Sequence, residues 1–161
     1  MKGSYILLIE LTAEQTITIG RRQATCFPAG YYAYIGSAMG GFESRIRRHL
    51  RGRKKHHWHI DYLLMKASVS DVILGETDDR VECAIAEALS GQFGSIPGFG
   101  SSDCRCRSHL FFAVDENRMK SEVMAVLISL GLEPILVGNN KSIETVRKPK
   151  EISGRGRRTT S

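Results

Sequence analysis

Two glycine-bounded runs near the start of the chain limit what it can fold into. Gly3-Ser4-Tyr5 opens an Ile- and Leu-rich run to Leu11, and Gly30-Tyr31-Tyr32-Ala33-Tyr34-Ile35-Gly36 crowds three tyrosines and an isoleucine between two glycines. Aromatic and branched side chains at this density favour a pleated, half-buried surface. Alternation puts Tyr32 and Tyr34 on one face of such a strand, with Tyr31 and Ala33 on the other. Aromatics on both faces need cover on both faces, so a sheet packed by helices is expected.

The rest of the pattern supplies that cover. Thr16 to Ile19 is β-branched and follows a polar turn, which predicts a hairpin partner for the first strand. Gly36, Gly40 and Gly41 break the tyrosine strand. A helix is predicted from about Phe42 to Leu50, with Ile46 and Leu50 on its buried side. Trp58 to Met65 reads as a second helix and Val69 to Leu74 as a strand. A helix capped by Asp78 or Asp79 should run to about Leu89 with Val81, Ala84, Ile85 and Ala88 inward. Gly91 to Arg107 reads as a long loop, His109 to Val114 as a strand, and Lys120 to Leu130 as a helix ended by Gly131. The expected architecture is α+β: a small, mainly antiparallel sheet with three central strands, flanked by helices. One domain over 1–138 and a basic, flexible tail over 139–161 complete the expectation.

At 161 residues, with 42% hydrophobic and 25% charged residues, the chain can bury one real core. Its longest apolar runs fall well short of a membrane span, and Met1-Lys2 leads into a strand without a cleavage site. A cytoplasmic protein with no membrane partner is expected. Cys26, Cys83, Cys104 and Cys106 then read as reduced thiols. The net charge of +6 favours a polyanionic partner. One basic cluster carries Arg45, Arg47, Arg48, Arg51, Arg53, Lys54 and Lys55. A second lies in the tail at Lys148, Lys150, Arg155, Arg157 and Arg158.

Arg45 and His49 stand one helical turn apart and share a face near the end of the tyrosine strand. A guanidinium there can grip a phosphate and an imidazole can relay a proton, although a solvated basic face fits the same residues. Glu82 has Ile85, Ala86 and Leu89 at i+3, i+4 and i+7, so it borders the core. A carboxylate there needs a cation: either a basic side chain or a hard divalent ion such as Mg²⁺ or Mn²⁺. The tyrosines can be ordinary strand residues; to act as a base, a phenol needs positive charge nearby to lower its pKa. Trp58 and Tyr62, four apart, are expected to pack as a unit. Cys83, Cys104, Cys106 and His109 carry zinc-ligand chemistry, but the Cys-x-Cys spacing is narrow and Cys83 is distant, so zinc is not expected.

In order and spacing, Gly3-Ser4-Tyr5, Tyr34-Ile35-Gly36, Arg45 with His49, and Glu82 resemble the GIY-YIG nuclease superfamily over roughly residues 3–110. Within it, several strings resemble an uncharacterised (DUF123-like) group sometimes attached to endonuclease III-type base-excision repair proteins. These are Gly36-Ser37-Ala38, His57-Trp58-His59-Ile60-Asp61-Tyr62-Leu63, Glu82-Cys83, Gly100 to Cys106, and Ser108-His109-Leu110. The gap between the tyrosine motifs is longer than in compact members. The superfamily's late asparagine has no clear counterpart, Asp103 or His109 being the nearest substitutes.

The resemblance implies an endonuclease that hydrolyses phosphodiester bonds in DNA, rather than RNA, using one Mg²⁺ or Mn²⁺ ion. It would be structure- or damage-specific and linked to DNA repair, with a repair protein as partner. Tyr5, Tyr34, Arg45, His49 and Glu82 would be catalytic, Glu82 holding the metal and Tyr5 or Tyr34 acting as base. Arg47, Arg48, Arg51, Arg53, Lys54 and Lys55 would bind nucleic acid. His57, His59, Asp61, Asp103 and His109 would hydrogen-bond into the site. A catalytically degenerate module of the same fold, binding DNA or a repair partner, is the alternative.

Overall fold

The computed structural model describes residues 1–52 and 54–138. At its centre lies β1 (Gly3–Leu11), buried along nearly its whole length. It pairs antiparallel with β4 (Gly30–Ala38) on one side and β5 (Ser68–Glu76) on the other. Outside β4 lie β7 (Leu110–Ala113) and then β6 (Gly94–Ser95), and outside β5 lies β8 (Pro134–Leu136). The six-stranded sheet has the order β6-β7-β4-β1-β5-β8, every neighbouring pair antiparallel. The expected α+β class with three central strands describes its middle.

Alternation along β1 builds two cores. Tyr5, Leu7, Ile9 and Leu11 point to the face that carries α1 (Phe42–Leu50) and α2 (His59–Leu63), joined there by Tyr32, Tyr34, Phe42, Ile46 and Phe99. Ile6 and Leu8 point to the opposite face, against Ile85, Leu89, Val123 and Leu127 from α3 (Glu82–Ser90) and α4 (Glu116–Ser129). Apolar cover on both sides is why the strand shows little polar alternation. No helix among the described residues is long and apolar enough to cross a membrane.

Several expectations shift. The 16–19 segment does not pair with β1. It forms β2 (Gln15–Thr18), which pairs with β3 (Ala24–Phe27) in a separate two-stranded sheet. Of β2 only Ile17 is buried, so it offers no apolar face to match β1, and β4 takes that place. The second helix is only five residues long, because Trp58 stays extended as its N-cap. Helix α3 starts later than expected. Asp78 pairs with Lys2 and the Asp79 N–H donates to Thr77 Oγ1, so neither caps it. Its buried residues are Ile85, Ala86 and Leu89, while Ala84 and Ala88 face outward. On α1 the buried stripe is Phe42, Ile46 and His49, with Leu50 only half-buried.

Helix α4 gains a turn over the expected span because Asp115 Oδ1 accepts from the N–H groups of Asn117 and Arg118 at 3.0 and 3.4 Å. Its far end stops at Gly131 as expected, with the Leu132 N–H returning to the Leu127 carbonyl at 2.9 Å. Asp115→Ala should therefore cost about 1 kcal/mol in urea unfolding. An unchanged midpoint would show that the first turn of α4 does not depend on this cap.

Candidate active site

The β1–β4 register sets Tyr5 opposite Gly36 and Leu7 opposite Tyr34, so both phenols project from one face of adjacent strands. A Cβ at position 36 would overlap the Tyr5 ring, and only glycine lets that ring lie across the β4 backbone. Behind the phenols sits His49. Its Nε2 shares a 2.6 Å hydrogen bond with the Tyr5 hydroxyl, the donor being set by the imidazole tautomer. The Tyr34 ring meets the same imidazole edge-on. His49 is only 2% exposed and its Nδ1 has no partner.

Burial governs the protonation of all three groups. It raises the Tyr5 pKa, with Tyr34 adding to the effect and Arg45 opposing it. Tyr34 is pushed up to about 12, again by burial against Arg45. His49 is lowered to about 3, chiefly by burial and further by Arg45, Arg48 and Lys54, against the pull of Asp61. Of the Arg45–His49 pair, Arg45 therefore supplies positive charge to the phenols, and the neutral imidazole supplies none. Both phenols remain protonated at neutral pH.

Arg45 reaches forward over the strand end. Its Nη1 donates to the Ser37 carbonyl at 2.9 Å, and its guanidinium lies 4.5 Å from the centre of the Trp58 ring. Arg48, three residues on, stacks on the same ring at 4.3 Å. It also grips Asp61 through two hydrogen bonds of 2.8 and 2.9 Å. Asp61 is fully buried, and its Oδ2 accepts from the His57 and Trp58 N–H groups as well. Burial alone would raise its pKa, but Arg48 and those two N–H groups hold it down at about 2.

Trp58 and Tyr62 therefore do not pack as the expected pair. Trp58 stacks under the two arginines, and Tyr62 meets His56 instead. His57 precedes the helix and offers its backbone N–H to Asp61.

Tyr5, Tyr34, Arg45 and Glu82 line one cleft of about 500 Å³, together with Ser37, Trp58 and Arg80. Glu82 is the first residue of α3, and its buried Oε1 has no hydrogen-bond partner. His57, His59, Asp103 and His109 also line the cleft, whereas Asp61 acts from behind through Arg48. His59 Nδ1 accepts from the Gly100 N–H at 2.9 Å. Gly100, at φ +70°, turns the loop so that this donor faces the histidine. His49 does not line the cleft; it reaches it through the Tyr5 hydroxyl.

Of the expected nucleic-acid contacts, Arg48 is committed to Asp61 and Trp58. Lys54 is committed to the end of α1, where its ammonium donates to the His49 and Arg51 carbonyls. Arg47, paired with Glu43, and Arg51 and Lys55 are exposed beside the cleft helix. Arg53 and the basic tail lie outside the described residues. Ser37, part of Gly36-Ser37-Ala38 but given no role there, and Arg80, two residues before Glu82 and in no motif, are cleft residues that the motif reading did not single out.

A protein-family model described as a domain of unknown function, DUF123, matches residues 4–132. The chain belongs to the DUF123 family. The matched stretch contains every residue of the cleft, from Tyr5 to His109. No curated protein and no solved structure matches the chain.

One further group of ligands accompanies the DUF123 cleft. Cys83, Cys104, Cys106 and His109 each bring one ligand atom to a point where all lie within 4.8 Å of one another, an arrangement able to hold a metal ion. The narrow Cys-x-Cys spacing and the distance of Cys83 argued against such a site. The fold removes the second objection, because α3 carries Cys83 to the loop that holds the other three, and both thiols of the Cys-x-Cys pair lie within the same group.

Two measurements test the electrostatics. Asp61→Asn leaves the Arg48 guanidinium without its carboxylate and should cost about 3 kcal/mol in urea unfolding at neutral pH. The low end of the range applies because Arg48 keeps 20% of its side chain in water. A loss below the error of the experiment would mean that the pair does not hold the helices. His49 binds no proton in the folded state until pH approaches 3, while the unfolded chain takes one near 6.5. Stability should therefore be full above pH 6.5 and fall as the pH drops towards 3. Its contribution to the slope is at most about 1.4 kcal/mol per pH unit. Replacing His49 with Gln should flatten that slope, and an unchanged slope would place the titration elsewhere.

Proposed function

We propose that this DUF123 protein is a metal-dependent endonuclease that hydrolyses phosphodiester bonds in DNA at structural or damaged sites and works alongside a repair protein. One observation carries the reading: Tyr5, Tyr34, Arg45 and Glu82 converge on a single cleft in which the Glu82 Oε1 has no partner. With His49, which reaches the cleft through Tyr5, these are the residues on which the likeness to GIY-YIG nucleases rests.

Glu82 fits a hard divalent ion: it is an unpaired carboxylate oxygen at the cleft wall, with Asp103 a second oxygen donor lining the same space. Held there, Mg²⁺ or Mn²⁺ supplies Lewis-acid polarisation of a phosphoryl oxygen. Arg45, anchored on Ser37 and Trp58, presents positive charge to the phosphate as negative charge builds on it. The Tyr5 hydroxyl faces the cleft and bonds His49 Nε2 behind it. With the ring proton on Nδ1, Nε2 is the acceptor, so that as Tyr5 takes a proton from water it can pass its own to that nitrogen. The Gly36 backbone gives the Tyr5 ring its slot, and Tyr34 packs against His49. Exposed Arg47, Arg51 and Lys55 supply sequence-independent phosphate contacts, which suits recognition of shape.

A second reading has its own support. Burial keeps both phenols protonated, the state expected of a degenerate site that only binds DNA or a repair partner.

One assay separates the two. Flapped, nicked, abasic and single-stranded DNA, with matched RNA, are incubated with the full chain and Mn²⁺. Cleavage of a DNA substrate is expected, falling about 100-fold or more in Arg45→Ala and Glu82→Ala. Activity that survives both substitutions would come from a contaminant. Binding without cleavage on every substrate would leave the binding module as the function.

A further inference from the structure

We propose that Cys83, Cys104, Cys106 and His109 form a structural zinc site that clamps the start of α3 to the loop ahead of β7. The geometry is close to that of a closed tetrahedral centre. Zinc–sulfur and zinc–nitrogen bonds of about 2.3 and 2.0 Å place neighbouring ligand atoms about 3.5–3.8 Å apart. Cys104 Sγ stands 3.6 Å from His109 Nε2 and Cys83 Sγ 4.0 Å from it, with the whole set inside 4.8 Å. Side-chain rotations that move the ligand atoms by up to about 1 Å would close the remaining gaps.

The chemistry selects the ion. Three thiols and an imidazole are soft donors that suit zinc and reject Mg²⁺ or Mn²⁺. Four protein ligands leave no open position, which marks a structural centre. The histidine's backbone is already fixed: its main-chain N–H donates to the Phe99 carbonyl at 2.8 Å, and its carbonyl accepts from the Ile35 N–H at 3.0 Å. From that anchored position the ring brings Nε2 to the Cys104 and Cys83 thiols.

The clamp also explains how a loop rich in Gly and Ser can form a cleft wall. Between Ser95 and His109, Phe99 is the one large side chain buried in the core, leaving the stretch from Gly100 to Ser108 with little apolar anchorage. Cys104 is next to Asp103 and Cys83 is next to Glu82, and both carboxylates line the cleft. Zinc would hold the two from opposite sides. The inference stands whether or not the cleft cleaves DNA.

The test begins with the full chain grown in zinc-supplemented medium and purified without chelator. Metal content by plasma mass spectrometry should show about one zinc ion per chain. Cys83→Ser and Cys104→Ser should lose it, while Cys26→Ser, at an exposed cysteine outside the cluster, and Glu82→Gln should keep it. Retention by Glu82→Gln separates this site from one at the cleft carboxylate. Should the cysteine variants fail to fold, cobalt substitution of the wild-type chain still decides. Sulfur-to-cobalt charge-transfer bands with tetrahedral visible absorption support the site. A metal-free wild-type chain, zinc retained in both cysteine variants, or an octahedral cobalt spectrum would overturn it.

Discussion

Everything chemical in this protein hangs from one backbone register, the antiparallel pairing that sets Tyr5 of β1 against Gly36 of β4. The missing Cβ at Gly36 creates the slot in which the Tyr5 ring lies. Slipping the pair by one residue would turn Tyr5 to the opposite face, away from His49. Such a slip is blocked from both sides, because β1 is buried against two cores and each demands its own alternate residues. The same burial that fixes the tyrosine also raises its pKa and lowers that of His49. Positional rigidity and acid–base tuning are two consequences of one packing decision.

Charge around the cleft is organised by Asp61 rather than by the arginines themselves. A fully buried carboxylate is costly unless its acceptor sites are used, and four hydrogen bonds from Arg48, His57 and Trp58 use them. By taking Arg48, Asp61 divides two neighbouring arginines into an anchored one and a presented one. Trp58 lies against both guanidinium groups and spaces them. Arg45 is thereby left facing the cleft, steadied by the Ser37 carbonyl and an aromatic face.

Where residue periodicity reflects a single strong cause, it read correctly. The central strands, α1, and the placement of Glu82 at the border of a buried stripe all follow from apolar spacing. Misreadings arose where a tertiary partner outweighed the local pattern. The 16–19 segment paired with β3 because β4 fitted β1 better. Trp58 stayed out of its helix because two arginines and the Asp61 carboxylate claim it there. The buried state of His49 was invisible because the imidazole continues the Phe42–Ile46 stripe, a place where an apolar residue would look natural. Tyr34 and Arg45 were legible from their motif, while the part played by Ser37 was not, since it is the backbone carbonyl that meets Arg45, and Arg80 stood in no motif at all.

Glu82 and Cys83 show most clearly how the sequence order hides the spatial chemistry. Adjacent at the first turn of α3, they diverge by about 100° around the helix axis, the angle implied by 3.6 residues per turn. One presents a hard carboxylate oxygen to the cleft, and the other delivers a soft thiol to Cys104, Cys106 and His109. Because ions sort by donor softness, two such sites can stand side by side without competing for the same metal. Their shared helical turn couples them mechanically, so anything that fixes the thiol cluster also fixes the carboxylate. A helix of nine residues without a side-chain N-cap has few other means of holding its first turn in place.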